Sequence, residues 1–113
     1  MRCNLMVLII WRQTQKIKSD KWDELEGLEK RFLQVEKRLG FPTETKKRYR
    51  ALFGPGDINT LIIDYQWESM AKMEKTYTKA FLDPEYQKLA EEAMPLIEED
   101  RWEILVPWPA FPD

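Results

Sequence analysis

The sequence contains no histidine. That absence removes the Ser-His and Cys-His nucleophile systems, histidine-held haem and zinc, and the usual general base near neutral pH. Cysteine is nearly absent too: Cys3 stands alone, so no disulfide can form within the chain and a thiolate metal cluster is excluded. No cofactor or metal is expected from these residues. Charge of one sign is also lacking. Eighteen basic residues face twenty acidic ones, for a net charge of -2, and no basic excess favours nucleic acid. The apolar run from Leu5 to Trp11 is far shorter than the roughly 20 residues of a membrane span. It has neither a basic leader nor a small-residue cleavage site, which argues against a secretory signal. A cytoplasmic protein without a membrane partner is the resulting expectation.

What remains is an ordinary globular balance, 43% hydrophobic and 34% charged, which is too apolar for a disordered chain. Its 113 residues suit a single core. The expected division is one domain over residues 1–106 and an extended Pro/aromatic tail over residues 107–113. Chemistry, if any, must rest on carboxylates, Lys, Tyr, the single Cys or a bound cofactor.

Cys3 to Trp11 is apolar on both parities and predicts a strand buried on both faces, with Arg12 to Lys18 as a polar connection. Trp22, Leu25, Leu28, Phe32, Val35 and Leu39 recur at spacings of three or four, an apolar helical stripe. Ser19 or Asp20 can cap this helix, and Gly40 before Phe41-Pro42 stops it. Glu29, Glu36 and neighbouring charges are placed on its outer side, and Gly27 is expected to pack closely against the sheet. Thr45 to Phe53 and Ile58 to Trp67 predict a hairpin about the turn Gly54-Pro55-Gly56-Asp57. Ser69 caps a second helix striped by Met70, Met73, Tyr77 and Phe81. Asp83-Pro84 restarts it, and Pro95 kinks or ends it. Trp102 to Val106 predicts the last strand, and the acidic run Glu98-Glu99-Asp100 a solvated helix face.

The order β-α-β-β-α-β is that of a ferredoxin-like α+β fold, with both helices on one face of a four-stranded antiparallel sheet of spatial order 4-1-3-2. The second strand is then an edge, protected by Lys46, Lys47, Arg48 and Arg50. An apolar helix-free face would be covered most simply by a second copy of the chain, and the tail, with Trp108 and Phe111, would lie on that partner.

A five-residue hairpin loop sets Arg48 opposite Asp64, Lys46 opposite Gln66 and Arg50 opposite Ile62, all on the helix-free face. Arg48, Arg50, Asp64 and Gln66 are therefore the candidate ligand-binding residues. The arginines would hold a carboxylate or enolate, and Asp64 could act as a base if buried. The same residues also suit a plain cross-strand ion pair on an exposed edge.

The stretch Gly56-Asp57-Ile58-Asn59-Thr60-Leu61-Ile62-Ile63-Asp64-Tyr65-Gln66-Trp67-Glu68-Ser69 resembles the dimeric α/β-barrel superfamily, and within it the NIPSNAP-like proteins. Asp83-Pro84-Glu85-Tyr86 and Arg101-Trp102-Glu103-Ile104-Leu105 are similar to the same family. The resemblance implies a homodimer whose sheets face each other around a cavity, binding a small acidic or aromatic ligand, with no catalytic residue carried over. The alternative it implies is a cofactor-independent monooxygenase or isomerase of the antibiotic-biosynthesis-monooxygenase type. Asn4, Tyr65 and Trp67 are residue types such enzymes use, and strand-end aromatics serve equally well in a core.

Overall fold

The computed structural model describes residues 8–109. Four strands, β1 (Ile9–Ile17), β2 (Lys47–Arg50), β3 (Thr60–Trp67) and β4 (Ile97–Leu105), form one antiparallel sheet in the order β2-β3-β1-β4. Helices α1 (Trp22–Leu39), α2 (Met70–Phe81) and α3 (Pro84–Ala93) cover one face. This is the expected α+β order, with β3 and β1 central.

Helix α1 spans the predicted stripe, burying Leu25, Leu28, Val35 and Leu39. Its cap is not the expected one. Lys21 occupies the N-cap position without a side-chain hydrogen bond, and Asp23 and Glu24 in the first turn supply negative charge beside the free N–H groups. At the other end Gly40 adopts φ of 97°, a left-handed conformation, and Phe41 N–H donates to the Glu36 carbonyl at 2.9 Å. Ser69 Oγ caps α2 by accepting from Lys72 N–H at 3.1 Å, and Asp83 Oδ2 caps α3 by accepting from Tyr86 N–H at 3.0 Å. Pro84 opens α3, and Pro95 lies in the 3-10 turn that separates α3 from β4.

Gly27 does not pack against the sheet. It is exposed, and a Cβ built there would meet nothing within 4 Å. Gly27→Ala is therefore expected to stabilise the protein by about 1 kcal/mol, through helix propensity and a less flexible unfolded chain. A rise in the urea midpoint at constant slope is the measurement; a drop would reveal a contact at that face.

Three strands depart from expectation. The first begins at Ile9 and runs through the supposed connection to Ile17, and residues 1–7, with Cys3 and Asn4, lie outside the described residues. The second is only four residues long, because residues 43–45 turn as a 3-10 helix. The fourth begins at Ile97, so Glu98, Glu99 and Asp100 are strand residues rather than a helix face. The hairpin register also differs by one. Lys47 pairs with Asp64 and Tyr49 with Ile62, because the connection runs from Ala51 to Asn59 and is closed by Ala51 N–H to the Thr60 carbonyl at 3.0 Å. A one-residue shift moves every β2 side chain to the opposite face.

The helix-side core contains Ile9, Ile17, Leu61, Ile63, Tyr65 and Trp67 from the sheet, packed with Leu25, Val35, Met73 and Leu89. Phe41 joins an aromatic cluster, its ring centroid 5.5 Å from both Tyr65 and Trp67 and 5.0 Å from Tyr77.

Candidate functional site

Between the helices and the sheet lies a cavity of about 600 Å³, within the range that holds small organic ligands. Its sheet wall comes from alternate residues of β1 and β3. Trp11, Gln13 and Gln15 share the helix-side face of β1, opposite Tyr65, Ile63 and Leu61 in register. Trp102 and Ile104 extend this wall across β4, beside Gln13 and Trp11. The opposing wall includes Leu25, Phe32, Met73, Tyr77, Tyr86 and Ala90. Trp11 and Tyr77 approach to 5.1 Å between ring centroids, and Phe32 and Tyr86 meet edge to face at 5.6 Å.

A buried polar chain reaches this cavity. Leu25, Glu29, Phe32 and Glu36 follow one another at spacings of four, three and four, so both carboxyl groups share the inward face of α1. Lys46, its side chain only 3% exposed, donates to Glu29 and, at 2.8 Å, to Glu36 Oε1. Tyr65 Oη donates to the same Glu36 oxygen at 2.5 Å, and the ammonium lies 5.4 Å from the Tyr65 ring centroid. Burial pushes the Glu36 carboxyl up, against the opposing pull of Lys46 and Tyr65. Burial raises the Tyr65 phenol strongly, and the neighbouring Glu36 charge raises it further. Tyr77 and Tyr86 are raised chiefly by burial. All three phenols stay protonated near neutral pH, and Tyr65 uses its proton as a hydrogen-bond donor to Glu36.

The four residues chosen from the sequence do not come together. Asp64 and Gln66 lie on the helix-free face, whereas the one-residue register change carries Arg48 and Arg50 to the helix side. Asp64 takes two hydrogen bonds from Arg12, at 2.8 and 2.9 Å. Arg48 stands 3.6 Å from Glu29, outside the cavity lining. Arg50 lies over the Trp22 ring at 3.9 Å and donates to the Ile58 carbonyl, tying the β2 edge to α1. Trp22 completes this tie by donating to Asn59 Oδ1 at 2.9 Å.

Sequence reasoning missed Arg12, Gln15, Glu29, Glu36 and Lys46 as members of these arrangements. The signal for Glu29 and Glu36 was present in their spacing from Leu25 and Phe32. For Arg12 it lay in the alternation of Ile10, Arg12, Thr14 and Lys16 with Trp11, Gln13, Gln15 and Ile17. Tyr65, singled out as an aromatic strand residue, does line the cavity; Trp67 is core, and Asn4 lies outside the described residues.

No protein-family model matches the sequence, and no match is found among curated proteins. Solved structures do match. A NIPSNAP family protein from Agrobacterium tumefaciens superposes with a TM-score of 0.77 at 18% identity, over 96% of this chain and 93% of that one. A NIPSNAP-like domain protein from Burkholderia xenovorans gives 0.73 at 17% identity, over 94% and 90%. A Nitrosomonas europaea protein provisionally named an antibiotic biosynthesis monooxygenase gives 0.62 at 9% identity, over 96% and 97%. At such identities the likeness is one of fold. The order of strands, the antiparallel sheet and the helices on one face are thus the fold that this chain shares with these NIPSNAP proteins.

Proposed function

We propose that the protein binds a small aromatic molecule in the cavity between its helices and its sheet, and that it does so as a homodimer. The observation that carries the first part is the cavity itself, with aromatic walls and a buried Glu36–Lys46–Tyr65 group. Such a combination of apolar walls and few polar groups is what a ligand site requires. Ala90 lies on α3 against the cavity, so Ala90→Trp places an indole inside it. The wild-type protein should brighten N-phenyl-1-naphthylamine saturably at one site per chain, and Ala90→Trp should abolish the effect. A wild type that leaves the dye dark would overturn the reading.

The dimer is supported by the helix-free face. No helix among the described residues covers it, and Tyr49, Ile62, Ile10 and Leu105 bring apolar surface to it. The Arg12–Asp64 pair meets its own charge within one chain, which lowers the cost of covering it with a second copy. Asp64 and Gln66 would then face the space between two sheets. Trp108 is 92% exposed, in keeping with a tail segment that lies on the partner, and Phe111 lies outside the described residues. Ile62→Asp should convert a dimer into a folded monomer by light scattering; a wild type that is already monomeric would refute the assembly.

An oxygenase or isomerase using the same cavity is the second reading. It is favoured by Glu36, a buried carboxyl of raised proton affinity hydrogen-bonded to a phenol, as a general base requires.

A further inference from the structure

The charges lining the cavity are unequal. Four carboxyl groups line it, those of Glu29, Glu36, Glu74 and Asp100, against the single ammonium of Lys46. That ammonium already donates to Glu29 and Glu36, and its side chain is 3% exposed. Glu36 accepts both its hydrogen bonds on Oε1, and Glu29 accepts Lys46 and faces Arg48 on its own Oε1. The Oε2 atoms of both accept no hydrogen bond among the described residues. Gln15 adds a second, independent feature. It is 7% exposed, lines the cavity from β1, and its amide has no hydrogen-bond partner among the described residues. Its amide atoms are not among the buried ones left unpaired, so they are accessible beside the cavity and can meet a polar group there.

We propose that the ligand is an organic cation, an aromatic amine whose ammonium meets the Glu29 and Glu36 carboxylates and the Gln15 amide while its ring lies among the aromatic side chains. This rests on the reading of the cavity as a binding site and adds the sign of the ligand's charge. An ammonium donates charge-assisted hydrogen bonds to the free carboxylate oxygens. The faces of Trp11, Tyr77 and Tyr86 attract a desolvated cation. A carboxylate of equal size would shed its water only to meet two anions, with the one cation already engaged. Arg48 and Arg50, the residues that suit an acid, are not in the cavity lining.

Three indole probes of matched shape separate the possibilities by titration calorimetry on the full chain: tryptamine, the neutral alcohol tryptophol, and indole-3-propionate. Tryptamine should bind at least tenfold more tightly than tryptophol, and tryptophol more tightly than the propionate. Glu36→Gln keeps a hydrogen-bonding side chain beside Tyr65 and should erase most of the preference for the amine. Gln15→Leu, which leaves the carboxylates untouched, should weaken tryptamine several-fold. Propionate binding as tight as tryptamine overturns the charge assignment and leaves the cavity reading standing. Tryptophol equal to tryptamine does the same. If none of the three binds, both readings fall.

Discussion

Lys46→Met is expected to destabilise the protein by about 3–5 kcal/mol, the cost of removing one partner from a buried ion pair. Lys46 is the only ammonium within hydrogen-bonding distance of Glu29 and Glu36 among the described residues, and all three side chains are largely hidden from water. Without it, Glu36 keeps only the Tyr65 hydroxyl, and Glu29 only the Arg48 guanidinium at 3.6 Å. Two further results should accompany the loss. Glu36→Gln added to Lys46→Met should recover part of it, because the second change removes the uncompensated charge and the two sites share one network. The deficit should also depend on pH. Burial raises the folded-state value of Glu36 above the ordinary glutamate value, and losing Lys46 removes a group that holds it down. Between those values the folded protein binds more protons than the unfolded one, so stability falls as pH rises. The variant should therefore lag the wild type less near pH ~4, around the ordinary glutamate value, than at neutral pH. Urea denaturation at both pH values measures this, and a deficit below about 1 kcal/mol at neutral pH would show that the network holds little of the fold.

Trp67→Ala should cost a similar amount, about 3–5 kcal/mol, by opening a large void in the core. Trp67 is 1% exposed and lies 5.5 Å from Phe41, 5.6 Å from Tyr77 and 6.0 Å from Tyr65 between ring centroids. Its indole N–H is buried without a hydrogen-bond partner among the described residues. Trp67→Phe removes that donor while keeping a ring in place, and should cost only about 1–2 kcal/mol. Denaturant unfolding of the two variants side by side makes the comparison. A Phe variant as weak as the Ala variant would mean that the N–H is held by a group that satisfies it, such as a bound water.

The sequence carried the element order, the helical stripe of α1, both proline-marked helix junctions and the strand order, because each rests on strong local chemistry. Leu25, Leu28, Val35 and Leu39 can be read as a stripe since they share one core. Strands β1 and β4 were misplaced for a physical reason. The helix-side face of β1 carries Gln13 and Gln15, which line a cavity rather than a packed core, so the usual apolar alternation is absent there. The edge strand β4 is exposed on both faces from Glu98 to Glu103, and so shows no period at all. The candidate site residues were divided between the two sheet faces by one register step. The nine-residue connection between β2 and β3 moved Arg48 and Arg50 away from Asp64, an outcome that turn chemistry alone cannot fix. Glu29 and Glu36 were assigned outward because charged residues on a helix are usually solvated; their spacing from Leu25 and Phe32 was the better guide.

Strand β1 is the first of the described strands, yet its two neighbours are β3 and β4, with Ile10 opposite Leu105. The sheet can therefore be completed only when both β1 and β4 are present. Pairings so distant in sequence must be reached against the entropy of a long loop, and they slow folding relative to local ones. During synthesis, β1 leaves the ribosome long before β4, and the edge of β1 that pairs with β4 stays unsatisfied until residues 97–105 appear. Trp102 and Ile104 arrive in the same step, so the cavity is walled by the event that completes the sheet. A chain interrupted before β4 has neither a finished sheet nor a walled cavity, and the two become one late, cooperative acquisition.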